Sequence, residues 1–312
     1  MLIERQRMTR REAIRRFRPG RPAMDSEPVN EMDRQLREKS VAAIALTNTL
    51  GDYQRLYGLY DIVLAEHPDF LAWSRGRFNK KGVPEDGHVR KELHFAADGQ
   101  QDDDPKDIFH LNNSLEARWL ETGRGRFSAD VELFMETARA MRHETIDVTR
   151  AMIKELSDPD HEGAYVGMDE AYHPANLFLV TQRLIRYDPY IDLGIDYDLA
   201  KIHTDKGGVT IQENATGPGL YRQLLGQVGP RFDKFPVPWE NGQSQVFFGQ
   251  AHEAVYGTVN NPIRALSHGV LAQPGAGYRY TTVSFNDMPL ADLKITSRET
   301  QVSRTDDENL NV

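Results

Sequence analysis

A change of texture near residue 164 is the feature that most limits how this chain can fold. Before it, apolar residues recur at the three- and four-residue steps of amphipathic helices, whereas after it short apolar runs are separated by Gly, Pro, Asn and Asp. The later runs have the lengths and spacing of strands in a sandwich or jelly roll. They are Asn176–Tyr187, Gly208–Gln212, Gln245–Phe248, Glu253–Val259, Ala265–Ala272 and Tyr278–Phe285. Helices first and strands later predict an α+β fold.

The clearest helix is predicted over residues 128–157. Ser128 is a suitable N-cap, because its side-chain oxygen can accept a hydrogen bond from the first turn. Ser157-Asp-Pro159 ends the helical pattern. The apolar stripe between them predicts a face buried in the core. It consists of Val131, Phe134, Ala138, Met141, Val148 and Met152.

The segments before this helix are less regular. Residues 30–66 predict two helices that are divided at Gly51-Asp52, and Pro68 is expected to end the second one. Residues 74–127 are polar and are expected to be irregular. These helices are expected to pack on the outside of a sheet domain.

Four parts of the chain follow from these patterns. Residues 26–163 are expected to form a helical region that packs on the barrel, and residues 164–294 the jelly-roll core. Residues 1–25 are rich in arginine and predict a disordered basic tail, with a partner-binding basic helix as the alternative. Residues 295–312 are expected to form a polar C-terminal tail.

A metal site is predicted around Lys201–Ile211, which has the pattern of two strands joined at Gly207-Gly208. Because side chains alternate in an extended chain, His203 and Asp205 face the same side. One imidazole and one carboxylate supply two ligands for a divalent metal. A second histidine would complete the 2-His-1-carboxylate set that leaves positions open on Fe(II).

His268 is the candidate for the second histidine, and His252, on a predicted strand, is the alternative. A second His-x-Asp, at His67–Asp69, contains a proline at the end of a helical run and predicts only a solvated helix exit. His110 and Trp119 could line a site, although His110 is more simply interpreted as a surface or packing residue.

Four segments of the second half form an ordered set. They are Arg183–Pro189, His203–Ile211, Val259–Val270 and Arg279–Thr281. All four resemble segments of one family, in the same order. The first resembles its strand ending in Tyr-Pro, and the second its H-T-D-x-G-x-hydrophobic-T segment. The third resembles the approach to its second metal histidine, and the fourth its R-x-S/T element. This family is the isopenicillin N synthase-like Fe(II)/2-oxoglutarate-dependent oxygenases, and the resemblance covers roughly residues 175–290.

The resemblance implies a double-stranded β-helix, or jelly roll, with N-terminal helices and a long bracing helix. It implies that His203, Asp205 and His268 hold Fe(II), that 2-oxoglutarate and O2 take the open positions, and that ascorbate serves as a reductant in vitro. The implied reaction is the oxidation of a small molecule, above all its hydroxylation, with release of succinate and CO2. Because related halogenases have Gly or Ala in place of Asp205, oxidation without halogenation is expected.

The resemblance also implies a site for the distal carboxylate of 2-oxoglutarate. Arg279 suits it because a guanidinium can bind a carboxylate through two parallel hydrogen bonds, and Thr281 shares the face of Arg279. Tyr187 is a further candidate, although the sequence departs from the family here. The residues that stand where the family usually has Asn-x-Tyr are Arg186, Tyr187 and Asp188. A second departure is Gly269, where many members have arginine.

Composition excludes several other classes of protein. The 312 residues include no cysteine, which excludes disulfides, thiolate catalysis and iron–sulfur clusters, so a metal site must use histidine and carboxylate. A net charge of −9 argues against a nucleic-acid partner. No apolar run approaches the length of a membrane span, and a cytoplasmic protein is expected.

Two alternatives to a 2-oxoglutarate-dependent oxygenase stay open. One is an iron oxidase of the isopenicillin N synthase type that does not use 2-oxoglutarate, and the other is a non-catalytic jelly-roll binding protein. The substrate is expected within the common range of the family, which is an amino acid or a natural-product intermediate. Arg183 or Arg186 could bind a carboxylate of the substrate if either of them faces inward.

Overall fold

The structure is a computed structural model that describes eight stretches of the chain. They are residues 26–79, 82–92, 104–157, 180–189, 198–223, 234–256, 263–273 and 277–286. The predicted tails at residues 1–25 and 295–312 lie outside these stretches, as do residues 176–179 and 257–259 of two predicted strands. None of the described helices is long and apolar enough to cross a bilayer.

Two antiparallel sheets form the centre of the described fold. In chain order the strands are β1 Val41–Ile44, β2 Gly87–Lys91, β3 Lys106–Leu111, β4 Thr181–Tyr187, β5 Asp198–Thr204, β6 Val209–Glu213, β7 Leu220–Gln223, β8 Lys234–Pro236, β9 Ser244–Phe248, β10 Ser267–Leu271 and β11 Arg279–Asn286. The larger sheet has the order β1-β9-β6-β11-β4-β3-β2, and the smaller sheet has the order β5-β10-β7-β8. From β4 onward the chain passes repeatedly between the two sheets, as in a jelly roll. The prediction of an α+β fold with a jelly-roll core is confirmed.

Helices pack on the outer face of the larger sheet. They are α1 Ser26–Lys39, α2 Leu50–Glu66, α3 Pro68–Ser74, α4 Asn113–Arg118, α5 Ala129–Leu156 and α6 Gln250–Tyr256, with a π-helical turn at Trp119–Gly123. Side chains alternate along β4, so Leu184 packs with the helices whereas Ile185 and Tyr187 pack between the sheets. The fold therefore has a helix-facing core and a separate interior between the sheets. Of the three predicted metal ligands, Asp205 and His268 are buried, whereas His203 is exposed at the end of its strand.

The long helix α5 agrees with its prediction at both ends. Ser128 is the N-cap, and its hydroxyl accepts a hydrogen bond from the backbone N–H of Val131 at 3.3 Å. All six residues of the predicted apolar stripe are buried. Phe134 and Met141 pack in one cluster with Leu184 of β4, so α5 braces the larger sheet from outside.

The predicted division of residues 30–66 at Gly51-Asp52 is wrong. The interruption comes earlier, where β1 pairs with β9 as an edge strand. Gly51 and Asp52 lie in the first turn of α2, because Thr49 and Asp52 form a capping box that begins the helix. Pro68 follows the end of α2 but occupies the first turn of α3, where its missing N–H has no cost.

The prediction of an irregular segment over residues 74–127 is also wrong. It contains β2 and β3, which extend the larger sheet beyond β4, as well as α4 and the π-helical turn. Trp119 is fully buried among the helices, so it belongs to the core and not to a site. His110 lies on β3, and burial lowers its pKa to about 3, so its interpretation as a packing residue fits.

The predicted strand at Glu253–Val259 begins instead as the helix α6. Its first backbone N–H groups have partners in the turn between β5 and β6. Gln250 N donates to the carbonyl of Asp205 at 2.8 Å, and Ala251 N donates to that of Lys206 at 3.3 Å. These bonds satisfy the free N–H groups of a helix start, and they fix the turn that carries Asp205.

Two carboxyl groups, the half-buried Glu144 and the buried Glu213, make the stability of the fold depend on pH. Burial raises the pKa of Glu144, on α5, to about 7, and the nearby Glu213 adds to the rise. Burial also raises the pKa of Glu213 itself. An acid with a raised pKa in the folded state destabilises the fold above that pKa, and the cost disappears below the unfolded pKa of about 4.5.

Replacement of Glu144 by glutamine is therefore expected to stabilise the protein at pH 8 and to have little effect at pH 4.5. The amide oxygen can still accept the hydrogen bond that Asn48 N donates to Glu144 at 2.7 Å. Because Glu144 is partly exposed, the gain is expected to be about 1 kcal/mol or less. Urea unfolding at both pH values measures it, with Glu66→Gln on the exposed face of α2 as the control. Equal effects of Glu144→Gln at both pH values would contradict the prediction.

Candidate metal centre and anion site

The three predicted metal ligands come together at one end of the smaller sheet. His203 lies on β5, Asp205 follows that strand, and His268 lies directly opposite His203 on β10. One possible ligand atom from each lies within 4.8 Å of the other two. His203 Nε2 is 3.6 Å from Asp205 Oδ1, and the two imidazole centroids are 4.5 Å apart. Groups at these distances can bind a single divalent ion.

Both imidazoles are oriented by the backbone. Nδ1 of His203 donates to the carbonyl of Lys201 at 2.8 Å, and Nδ1 of His268 donates to the carbonyl of Leu266 at 3.0 Å. A carbonyl can only accept, so Nδ1 carries the proton and Nε2 has the free lone pair that a metal needs. Burial lowers the pKa of His268 to about 4, which leaves this imidazole neutral at pH 7.

Asp205 is oriented by Thr210, a residue to which the sequence assigned no role. The hydroxyl of Thr210 donates to Asp205 Oδ2 at 2.7 Å. Asp205 Oδ1 faces His203 Nε2, so it is the oxygen directed at the metal position. The local signal for this contact is a hydroxyl residue at the start of the strand that follows the turn.

Glycine is required where α6 meets the turn that carries Asp205. A Cβ at Gly249 would lie 2.3 Å from the carbonyl oxygen of Gly207 and 2.7 Å from that of Asp205. Gly249 N also donates to the carbonyl of Gly208 at 2.7 Å. The turn connects β5 in the smaller sheet to β6 in the larger one, so it spans the end of the jelly roll.

The rival histidines lie elsewhere. His252 is buried on α6, where its ring stacks on that of Phe248 with 3.7 Å between the ring centroids. It is not part of the cluster of His203, Asp205 and His268. His67 ends α2, and its Nε2 lies 3.1 Å from the hydroxyl of Ser128, while Asp69 is exposed. In the described stretches of the chain, the only group of three or more His, Asp or Glu side chains that could hold a metal is that of His203, Asp205 and His268.

Arg279 is a buried cation with spare hydrogen-bonding capacity. It is 6% exposed and begins β11, directly opposite Tyr187 on β4. Its Nε donates to the carbonyls of Gly217 and Pro218 at 3.3 and 3.1 Å, whereas Nη1 has no hydrogen-bond partner. No carboxylate of the described residues forms an ion pair with it. Because a buried charge without a counter-ion is costly, this position suits an anionic ligand.

Tyr187 and Thr281 share the interior with Arg279. The Arg279 guanidinium carbon lies 5.5 Å from the centroid of the Tyr187 ring. Burial raises the pKa of Tyr187 to about 12, so its hydroxyl stays protonated and can donate a hydrogen bond. Thr281 is fully buried and lies two residues along the same face of β11. Arg279 also lines a pocket together with Gln212 and Trp239.

Arg186, Tyr187 and Asp188, which stand where the family usually has Asn-x-Tyr, have different surroundings in the structure. Arg186 faces the helices, where it donates to Asp61 at 3.2 Å and to Asp107 at 2.8 Å. Asp188 pairs with Arg90 at 2.7 Å. Only Tyr187 packs between the sheets.

Gly269, the second departure, has a steric explanation. A Cβ there would lie 2.4 Å from the hydroxyl of Tyr221, the residue directly opposite on β7. The phenol of Tyr221 thus occupies the space that a side chain at position 269 would need.

Comparison with known proteins identifies the fold. No protein-family model and no curated protein matches the chain. Among solved structures, a proposed oxygenase of Shewanella oneidensis is 16% identical, with a TM-score of 0.65 over 93% of this chain and 98% of that one. A full-length Neurospora crassa protein in complex with alpha-KG is 13% identical, with a TM-score of 0.62 over 88% and 84% of the two chains. AtDAO1 of Arabidopsis thaliana, a dioxygenase for auxin oxidation in a binary complex with 2-oxoglutarate, is 13% identical, with a TM-score of 0.57 over 86% and 91%. The chain therefore has the jelly-roll fold found in structures of Fe(II)/2-oxoglutarate oxygenases.

Proposed function

We propose that this protein is an Fe(II)- and 2-oxoglutarate-dependent dioxygenase that hydroxylates a small molecule, with release of succinate and CO2. One observation carries the proposal. One jelly roll contains both a His-Asp-His cluster, of which Asp205 and His268 are buried, and a buried arginine with an unpaired nitrogen. The first group fits a divalent metal, and the second fits the far end of a dicarboxylate.

The residues present fit Fe(II). Two imidazoles whose Nδ1 atoms donate to backbone carbonyls, together with one carboxylate, would form a facial set that leaves coordination positions for co-substrate and O2. The absence of cysteine from the sequence removes the thiolate ligands that would favour other metals. Bound iron and 2-oxoglutarate would supply the oxidising chemistry, while the protein positions them and shields the reaction from water.

The buried guanidinium favours a keto-diacid co-substrate over oxidation without one. Arg279 would bind the distal carboxylate through Nη1, and the Tyr187 hydroxyl and Thr281 lie on the same interior surface to complete that contact. Two solved structures with this fold, the Neurospora crassa protein and AtDAO1, contain alpha-KG and 2-oxoglutarate respectively, which supports the same co-substrate here. AtDAO1 is named for the oxidation of auxin, and a small-molecule substrate is in keeping with that.

The proposal is tested by a succinate-release screen of a metabolite library with Fe(II), 2-oxoglutarate and ascorbate. Succinate and an oxygenated product are expected in equal amounts, without chlorination when chloride is present, because Asp205 keeps the third ligand position. Oxidised product without succinate would assign the protein to the isopenicillin N synthase type of oxidase. Failure of the parent protein to bind Fe(II) and 2-oxoglutarate would overturn the proposal altogether.

Replacement of Thr210 by valine is expected to weaken Fe(II) binding by about 10- to 100-fold, the usual effect of removing a group that orients a metal ligand. Valine keeps the shape of threonine but cannot donate to Asp205 Oδ2, so the carboxylate loses its fixed orientation. Titration of the metal-free protein with Fe(II) under argon measures the affinity.

Two variants serve as controls for this titration. Thr210→Ser keeps the hydroxyl and is expected to bind Fe(II) nearly as the parent does. Thr204→Val changes a threonine of the same segment that points away from the cluster, and it should leave the affinity unchanged. Equal affinities of Thr210→Val and the parent would show that Thr210 does not orient the ligand.

A further inference from the structure

A second arginine lies on the interior face of the larger sheet. Arg183, on β4, belongs to the same alternate set as Ile185 and Tyr187, both of which pack between the sheets. Its guanidinium carbon lies 4.4 Å from the centroid of the Phe285 ring, and Phe285 packs against the same interior cluster. Arg183 therefore faces inward, in contrast to Arg186 on the outer face.

The position of Phe285 connects Arg183 to the metal cluster. Phe285 on β11 lies directly opposite Thr210 on β6, and the Thr210 hydroxyl donates to Asp205 Oδ2. Side chains opposite each other in an antiparallel pair are about 5 Å apart. Three successive contacts therefore link the guanidinium of Arg183 to Asp205, which places Arg183 on the interior face that leads to the metal cluster.

Arg183 is also separate from the arginine that fits 2-oxoglutarate. Tyr187, the residue opposite Arg279, lies four residues further along β4 than Arg183. At about 3.3 Å per residue, this places the two positions about 13 Å apart along the strand. The side chain of Arg183 leans toward Phe285, which is at the far end of β11 from Arg279. Arg183 and Arg279 are thus two distinct cationic positions of the interior.

The neighbours of Arg183 suit an anion. His110, on β3, lies directly opposite Arg183 on the same face. Burial, with a smaller contribution from the charge of Arg183, lowers the pKa of His110 to about 3, so the imidazole is neutral and can donate one hydrogen bond. A guanidinium stacked on a ring can still bind a carboxylate along its edge through two parallel hydrogen bonds.

We propose that Arg183 binds a carboxylate of the primary substrate, so that the protein oxidises a carboxylic acid whose apolar part lies beside Phe285. This inference rests on the proposed function, since it assigns the substrate class of the same site. The substrate carboxylate would be held by Arg183 and the C–H to be oxidised would be directed toward the metal cluster.

Binding to the resting complex tests the inference without turnover. The protein is loaded with Fe(II) and 2-oxoglutarate under argon. Calorimetry then measures its affinity for a panel of aliphatic and aromatic monocarboxylic acids and for the primary amide that corresponds to each acid. The acids that bind are expected to do so about 10- to 100-fold more tightly than their amides, the usual contribution of hydrogen bonds to a charged group. Arg183→Gln should abolish this difference, and Arg183→Lys should retain part of it.

The controls separate this inference from the function on which it rests. Arg150→Gln removes an exposed arginine of α5 that pairs with Asp147, and it should leave the preference for acids unchanged. Binding of Fe(II) and 2-oxoglutarate to the parent protein is measured first, and its failure would count against the proposed function. With that binding intact, the inference is overturned if no acid binds, if amides bind as well as acids, or if the preference survives in Arg183→Gln. It is also overturned if Arg183→Gln weakens only 2-oxoglutarate binding.

Discussion

Replacement of His268 by alanine is expected to abolish tight Fe(II) binding and to lower succinate formation by roughly three orders of magnitude. A bound metal contributes several kcal/mol of charge stabilisation, and each 1.4 kcal/mol or so corresponds to a tenfold change in rate. Of the three proposed ligands, His268 is the one whose orientation and protonation are both fixed in the metal-free protein. Its Nδ1 donates to Leu266, and burial holds its pKa at about 4.

Two measurements check this result. Titration with Fe(II) under argon gives the affinity, and chemical unfolding with and without Fe(II) gives the stabilisation by the metal. At a metal concentration of 100 times the dissociation constant, the parent should gain about 2.7 kcal/mol of stability, whereas His268→Ala should gain nothing at that concentration. The metal-free forms should both unfold cooperatively, which excludes a general failure to fold.

The matched control comes from the other His-x-Asp of the chain. His67→Ala removes an imidazole next to an exposed carboxylate at a helix end, so it should leave both Fe(II) affinity and succinate formation unchanged. If His268→Ala bound Fe(II) as tightly as the parent, the metal would have to lie elsewhere and the oxygenase proposal would lose its basis.

The sequence predicts the elements that local interactions determine. Helix α5 has both a local cap at Ser128 and a stripe of period 3.6, and the structure has the helix from Ala129 to Leu156. The segment Val41–Ile44 has no such local reason to be a strand, because it is too short and contains two alanines. It becomes one only because β9, far away in the sequence, offers its edge.

The same distinction explains which site residues could be found in advance. His203 and Asp205 follow from strand alternation within a few residues, whereas the placement of His268 needs the register between β10 and β5. Whether Arg183 or Arg186 faces inward could not be decided from the sequence, since each is polar and either face of β4 is covered. The structure decides it, because Leu184 packs on the helices and therefore Arg183 and Ile185 face the other way.

Replacement of Arg279 by methionine is expected to have two opposite effects, one on ligand affinity and one on stability. Loss of the guanidinium should weaken 2-oxoglutarate binding by about 2–5 kcal/mol, or at least 30-fold, the usual effect of removing one partner of a buried charge pair. In the ligand-free protein, however, the guanidinium is buried with Nη1 unpaired. Because such a group costs free energy in the folded state, methionine of similar length should raise the stability of the ligand-free protein.

Calorimetry with 2-oxoglutarate and urea unfolding without it measure the two effects on the same variant. Arg279→Lys keeps the charge but not the paired N–H geometry, so it should bind 2-oxoglutarate with intermediate affinity. Arg124→Met, at an exposed arginine that pairs with Glu136, should change neither quantity. A structural role for Arg279 requires the reverse result, in which methionine lowers stability and leaves 2-oxoglutarate affinity intact. The opposite signs expected here arise because the carbonyls of Gly217 and Pro218 satisfy only Nε, so the remaining N–H groups of Arg279 obtain partners when a carboxylate binds.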